Sequence, residues 1–245
     1  MKPFLKPKYD MRLFFSCLFL VSFCNVFSQE ETTTTTTETK PAVKIDSLYR
    51  EDQFYFSLTY NSIMKSPGMA QDRFSAGLSF GFLRDMPINK PRTFAVATGL
   101  GLSYKNYYQN LAITGTKDAL VYNVVSYSDI NTNKFYSYLV DVPIEFRWRN
   151  STPESYKFWR IYGGLKVSYV LSSKSVFIGL DQNVKIINNK DVNRFQYGAY
   201  ISTGYNTWNL YACYSLNSLF NSSARTPTDQ VDIRTLSMGL IFYIL

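Results

Sequence analysis

The stretch YSYLVDVPIEFRWR, Tyr136 to Arg149, decides the fold. Tyr136, Tyr138, Val140, Val142, Ile144, Phe146 and Trp148 are apolar or aromatic. Between them stand Ser137, Leu139, Asp141, Pro143, Glu145, Arg147 and Arg149. A period of two sustained over the whole stretch reads as a β-strand with one oily and one largely polar face. The oily face is longer than a half-buried strand of a soluble domain needs. It fits the ~9–11 residues with which a strand crosses a bilayer.

The same alternation recurs at 54–61, 74–82, 94–105, 159–171, 195–205, 208–217 and 235–244, and no window after Gln53 has a convincing helical pattern. Eight such strands can close antiparallel with both termini on one side. A soluble barrel or sandwich would turn the oily face inward, and three features oppose that. Of the glycines inside the strands, all but Gly163 lie on the polar face, where a narrow wall needs small residues. Connections after the first, third, fifth and seventh strands are long and those between are short, as in outer-membrane barrels, whose long loops face outside. Trp148, Trp159, Trp208, Phe82 and Phe94 flank the short turns on the oily face, while Tyr60, Phe74, Tyr104, Tyr136, Tyr169, Phe195 and Tyr214 lie near the opposite ends. Two aromatic belts at headgroup depth result. The expectation is an all-β, eight-stranded antiparallel transmembrane β-barrel over 53–245, integral to a bacterial outer membrane.

The first 28 residues read as a secretory signal. Lys2, Lys6, Lys8 and Arg12 precede an apolar run, Leu13 to Phe27, and Val26 and Ser28 are small enough for cleavage before Gln29. Residues 29–52, with consecutive threonines from Thr32 to Thr37, have no apolar face to bury and read as a disordered periplasmic tether. Cys17 and Cys24 leave with the signal, so Cys213 is the one thiol retained.

Composition narrows the chemistry. The formal charge is +8, but four bases and one acid stand in the first 28 of the 245 residues. What remains has no basic block or helix-length basic stripe, so nucleic acid is not an expected partner. The chain contains no His. Ser-His-Asp hydrolysis, Cys-His proteolysis and His-ligated metal sites are thereby excluded. Lys166 and Ser168 share a face and leave a Ser-Lys dyad formally open, although Lys166 suits neutralisation of an acid better. No cofactor or metal site is expected.

Two further stretches accompany the Tyr138–Arg147 segment: Phe158 to Gly164 (FWRIYGG) and Gly204 to Leu210 (GYNTWNL). With them the chain resembles the Bacteroidetes outer-membrane β-barrel family, within which it is most similar to PorT-like proteins. The final strand, with Ser237, Gly239, Phe242 and Ile244, resembles the signal read by the outer-membrane insertion machinery, although Leu245 stands where an aromatic residue is usual. The resemblance implies a non-catalytic barrel serving type IX protein secretion or gliding, with secretion-apparatus proteins as partners. A small porin or a surface ligand-binding barrel is the alternative.

Eight strands enclose a bore just wide enough for side chains. Tyr55, Tyr162, Tyr200, Tyr211 and Tyr243 point into it, together with Asp141, Glu145, Arg147, Arg149, Arg160 and Lys166, an expected ionic plug. Taking Trp148 and Trp159 as partners pairs Arg147 with Arg160, Glu145 with Tyr162 and Asp141 with Lys166. A slip of two leaves the inward faces unchanged. The two long loops, 106–133 and 172–193, contain Val121 to Val125 and Val176 to Ile178, which could extend hairpins above the membrane. Lys65, Arg73, Lys105, Lys134, Lys174, Arg194 and Arg225 lie toward the loop side, either as scattered solvated bases or as contacts for lipopolysaccharide phosphates; outer-membrane lipid and lipopolysaccharide are the expected partners of the barrel.

Overall fold

The computed structural model describes residues 52–64, 68–71, 73–117, 119–150, 158–180 and 182–244. The expected signal at 1–28 and the tether up to residue 51 lie outside them. Eleven strands follow in order: β1 Gln53–Met64, β2 Ala76–Pro87, β3 Phe94–Tyr108, β4 Leu111–Gly115, β5 Leu120–Val124, β6 Ile130–Arg149, β7 Trp159–Gly179, β8 Asn183–Ile187, β9 Phe195–Tyr205, β10 Trp208–Ser215 and β11 Arg234–Ile244. Eight of them form the wall. In the order β6-β3-β2-β1-β11-β10-β9-β7 each pairs antiparallel with its neighbours, and the β6–β7 ladder closes the ring.

The faces are those of a membrane protein. Leu100, Phe146 and Leu210 are each about two-thirds exposed on the outside, whereas Arg147 is 1% exposed within. Inverting the usual arrangement is favourable only where lipid replaces water outside. The outer wall is edged by aromatic contacts. At the short-turn rim Phe54 meets Phe82 at 5.2 Å, Trp159 meets Tyr205 at 5.6 Å and Trp208 meets Phe242 at 4.9 Å, with Phe94 beside Trp148. At the long-loop rim Tyr60 meets Phe74 at 5.3 Å, Tyr104 meets Tyr138 at 5.3 Å and Tyr169 meets Phe195 at 5.2 Å. Trp148 and Tyr138 are one belt-to-belt interval apart on β6. That run is ~33 Å of strand, or ~25 Å along the normal at the usual tilt, which matches the apolar band of an outer-membrane barrel.

Four details depart from the strand reading of the sequence. β2 starts at Ala76, not Phe74, and runs on past Phe82 to Pro87, which carries Asp85 into the bore. The β6–β7 ladder is offset by two from the pairing expected: Arg149 faces Arg160, Arg147 faces Tyr162, Glu145 faces Gly164 and Asp141 faces Ser168. The ladder runs to Arg149 and Arg160, and Asn150 N donates to the carbonyl of Trp159 just beyond it at 3.1 Å. The third departure is on β7, where Tyr138 pairs with Ser172 but Leu139 pairs with Val170, leaving Leu171 as a bulged extra residue. Below it the even residues of β7 turn inward; above it the odd residues do, so Phe177 is buried.

The fourth departure is the largest. The long connections are not bare loops. β6 and β7 rise beyond the bilayer as a continuous ladder, β8 adds to β7, and β4 and β5 form a hairpin. Their apolar side chains bury one another in a cap over the long-loop mouth, with Tyr107, Leu111, Ile113, Tyr122, Phe135, Ile186, Val192, Phe220 and Ile233 in its core.

Candidate functional site

The bore is filled from the short-turn end upward. The floor is built around Asp85 of β2. Arg149 forks onto it, with Nη1 donating to Oδ1 and Nη2 to Oδ2, each at 2.8 Å, and Arg147 Nη1 donates to Oδ1 at 2.9 Å. All three side chains are fully buried. The Arg149 Nε–H also donates to the carbonyl of Arg92 at 3.1 Å, tying the floor to the β2–β3 turn. That turn is itself held by Asn89, whose side chain accepts from Phe94 N at 3.0 Å and donates to Thr93 at 2.7 Å.

Glu145 links this floor to a ring of tyrosines. It accepts from Arg147 Nε at 2.8 Å, from Tyr200 Oη at 2.9 Å and from Tyr243 Oη at 3.4 Å. The Arg147 guanidinium stands 4.8 Å from the ring of Tyr162. Arg160, expected opposite Arg147, lies opposite Arg149 instead. The two-residue offset places it over Phe158 at 4.5 Å, Tyr243 at 5.6 Å and Tyr162 at 5.8 Å, where the ring faces attract the cation.

The next layer centres on Asp141. It accepts from Ser168 Oγ at 2.6 Å and from the hydroxyl of Ser103, and the Lys166 ammonium lies 3.4 Å away. Lys166 also donates to Tyr211 Oη at 3.2 Å. Asp141 thus engages both members of the formal Ser-Lys dyad. Room for the bulky rings comes from small residues opposite. Tyr55 lies across Gly81 and Gly101, where a Cβ at Gly81 would come within 2.7 Å of its ring and one at Gly101 would run into its hydroxyl.

All six residues of the expected plug therefore face the bore and are buried. They divide between two layers, and Asp85 joins them. Sequence reasoning missed Asp85 by ending its strand at Phe82, although Gly81, Leu83 and Asp85 continue the inward parity. Lys105, grouped among the loop-side bases, instead lines the upper bore beside Lys166 and Gln196. The voids between these side chains are small: about 20 Å³ between Tyr55, Glu145, Lys166, Tyr200 and Tyr211, and about 10 Å³ beside Lys105 and Cys213. Each has space for about one water molecule. Phe82, Phe94, Trp148, Trp159 and Trp208 all stand exposed on the outer wall at the short-turn rim.

A closed eight-stranded wall, oily outside, charged and filled inside and belted with aromatic rings at both rims, defines an integral outer-membrane β-barrel protein. The chain belongs to the family described as outer membrane protein beta-barrel domain, whose model matches residues 27–221. That match ends before β11, the strand that pairs with β1. No curated protein matches the sequence with significance. Among solved structures, the chain is similar to Ail, the attachment invasion locus protein of Yersinia pestis, at 12% identity and a TM-score of 0.40, covering 79% of this chain and 97% of that one. It is also similar, at 9% identity and a TM-score of 0.20, to a chain from a structure concerned with asymmetric conductivity of engineered proteins, covering 79% of this chain and 99% of that one.

Proposed function

We propose that this barrel is a non-catalytic, non-conducting membrane module that works through its cap, in the protein-export role implied by its resemblance to PorT-like components of the type IX secretion and gliding apparatus. One observation carries the reading: the bore is filled by bonded charges and tyrosines, while the long-loop end is invested with a hydrophobic core of its own. A porin needs an open bore. A passive anchor has no use for a folded cap, because ordering those loops costs roughly 1–2 kcal/mol of backbone entropy per residue. The partners on this reading are other secretion-apparatus proteins.

Two measurements test it. In planar bilayers the purified wild-type barrel is expected to show no steady conductance, and a stable open channel would return the porin reading. Deletion of the gene is expected to abolish export of surface cargo, and the tagged barrel to recover export proteins. Loss of small-solute uptake alone would refute the export role. Orientation is checked separately. Cysteines at Thr116 and Asn183, both exposed in the cap connections, should react with an impermeant maleimide on whole cells, while one at Lys90 in the β2–β3 turn should not. The opposite pattern would invert the topology and place the cap in the periplasm.

A surface ligand-binding barrel is the second reading, favoured by a depression of about 260 Å³ in the cap. Met69, Asn123 and Val124 line one side of it and Thr226 to Val231 the other.

A further inference from the structure

On the outer wall at the long-loop rim, β3, β6, β7 and β8 lie side by side, and their pairings define three ascending rows, whose residues are at least partly exposed except for the buried Asn106. The first is Tyr104, Tyr138 and Ser172; the second is Asn106, Tyr136, Lys174 and Ile187; the third is Tyr108, Lys134, Val176 and Lys185. The rows contain three lysines and no acid. Lys134 and Lys174 stand 6.0 and 5.4 Å from the ring of Tyr136. Arg73 adjoins the third row, with its guanidinium 5.9 Å from the ring of Tyr108 and its Nη2 donating to Asn131 O at 3.2 Å.

Among the described residues, no ion pair involves Lys134, Lys174 or Lys185. Arg234, elsewhere on the rim, has Asp232 at 4.0 Å. With no carboxylate in these three rows, the ammonium groups of Lys134, Lys174 and Lys185 repel one another, and an anion seated among them from outside the chain would relieve that repulsion. Their height says which anion. Tyr138 belongs to the aromatic belt. Lys174 is level with Tyr136, one inward-outward repeat higher, and Lys134 is one repeat higher again. Those steps are roughly 5 and 10 Å along the membrane normal above the belt, which is the headgroup layer. Phosphate monoesters are the anions concentrated there, and they accept charge-assisted hydrogen bonds from ammonium groups and bonds from tyrosine hydroxyls.

We propose that this face is a binding site for the phosphates of a phosphorylated outer-leaflet lipid of the lipopolysaccharide type. Lys134, Lys174 and Lys185 make the ion pairs, Arg73 stands at the edge, and the acyl chains lie against Tyr104, Tyr138 and the oily wall below. The site stands apart from the export role. It gives the barrel a lipid-fixed side and leaves the other strands free to meet a partner.

The test uses the whole barrel in neutral detergent, titrated with bisphosphorylated lipid A, with the same lipid after enzymatic dephosphorylation, and with inorganic phosphate. The triple variant Lys134→Gln/Lys174→Gln/Lys185→Gln is expected to bind lipid A more weakly by on the order of 100-fold, since each lysine near a charged lipid surface contributes roughly fivefold. The corresponding triple Arg variant should bind as wild type does, and Lys90→Gln/Lys117→Gln, which removes charge elsewhere, should change nothing. Folding of each variant is read from its unheated mobility in SDS gels. Unaltered lipid A binding by the folded Gln variant would overturn the site. Equal binding of the dephosphorylated lipid would overturn the phosphate chemistry, and equally tight binding of inorganic phosphate would overturn the lipid as its source.

Discussion

Asp85→Asn is expected to destabilise the barrel by about 3–5 kcal/mol, the cost of removing one partner from a buried ionic group. Asp85 is the only carboxylate bonded to Arg149 and one of two bonded to Arg147 among the described residues. Asparagine keeps the shape and one acceptor. It turns the other oxygen into an N–H donor aimed at the Arg149 fork, so two donors meet where a bidentate pair stood. Arg149 then loses its bidentate carboxylate at a fully buried position, while its bond to the carbonyl of Arg92 remains. The measurement is the denaturant midpoint of the purified barrel in detergent. Asp85→Asn combined with Arg149→Gln should recover part of the loss, because the second change removes the buried charge that Asp85 balances in the wild type. Glu145→Gln should cost less, about 1.5–3 kcal/mol, since the amide oxygen still accepts from Tyr200 and only the bond from Arg147 is lost. An unchanged midpoint in Asp85→Asn would mean that the floor is not held by this pair. A Glu145→Gln loss exceeding it would place the keystone one layer higher.

That the keystone was not named from the sequence has a physical cause. A period of two assigns each residue of a strand to a face and does nothing more. It made the wall, the belts and the inward position of Asp141, Glu145, Arg147, Arg149, Arg160 and Lys166 readable. It is blind to a slip of two, which preserves every face while exchanging every neighbour. So the spacing pairs Arg160 with Arg147 and gives Arg149 no partner, whereas Arg160 lies opposite Arg149 and over the ring of Phe158. The contact that ends the β6 ladder joins residues 64 positions apart, beyond anything local spacing can express. Two signals were present. Gly81, Leu83 and Asp85 keep the inward parity beyond Phe82, and the alternation in β7 breaks after Leu171, where the bulge lies. The cap left no such trace. Ile113, Tyr122, Ile186, Val192, Phe220 and Ile233 come from separate short segments. Val121 to Val125 and Val176 to Ile178 suggested hairpins, but nothing local shows that those hairpins would roof the mouth.

Phe220→Ala is expected to open the cap and leave the barrel standing. The Phe220 ring is buried against Phe135 at 5.5 Å and Tyr122 at 5.9 Å. Removing a buried Phe side chain costs about 3–5 kcal/mol. Tyr122 is anchored on the far side, where its hydroxyl donates to Asp191 at 2.9 Å and accepts from Asn189 at 2.9 Å, and burial pushes its phenol well above the usual range. Losing Phe220 therefore loosens β5 from the loop that carries Asn189 and Asp191. The damage stops there because the cap core and the tyrosine core of the bore are separate clusters. Local opening then needs no unfolding of the wall. Trypsin should cut the folded variant at Lys117, Lys190 or Arg225 on the order of 100-fold faster than wild type, the factor that ~3 kcal/mol gives when cleavage follows the open population. The unheated gel mobility of the uncut barrel should be unaltered. If the cap is the surface through which export partners are held, the same variant loses export while still inserting in the membrane. Export at the wild-type level by a protease-sensitive Phe220→Ala barrel would move the partner contact off the cap and onto the wall or the periplasmic side. Cleavage at the wild-type rate would show that Phe220 is not what holds the cap closed.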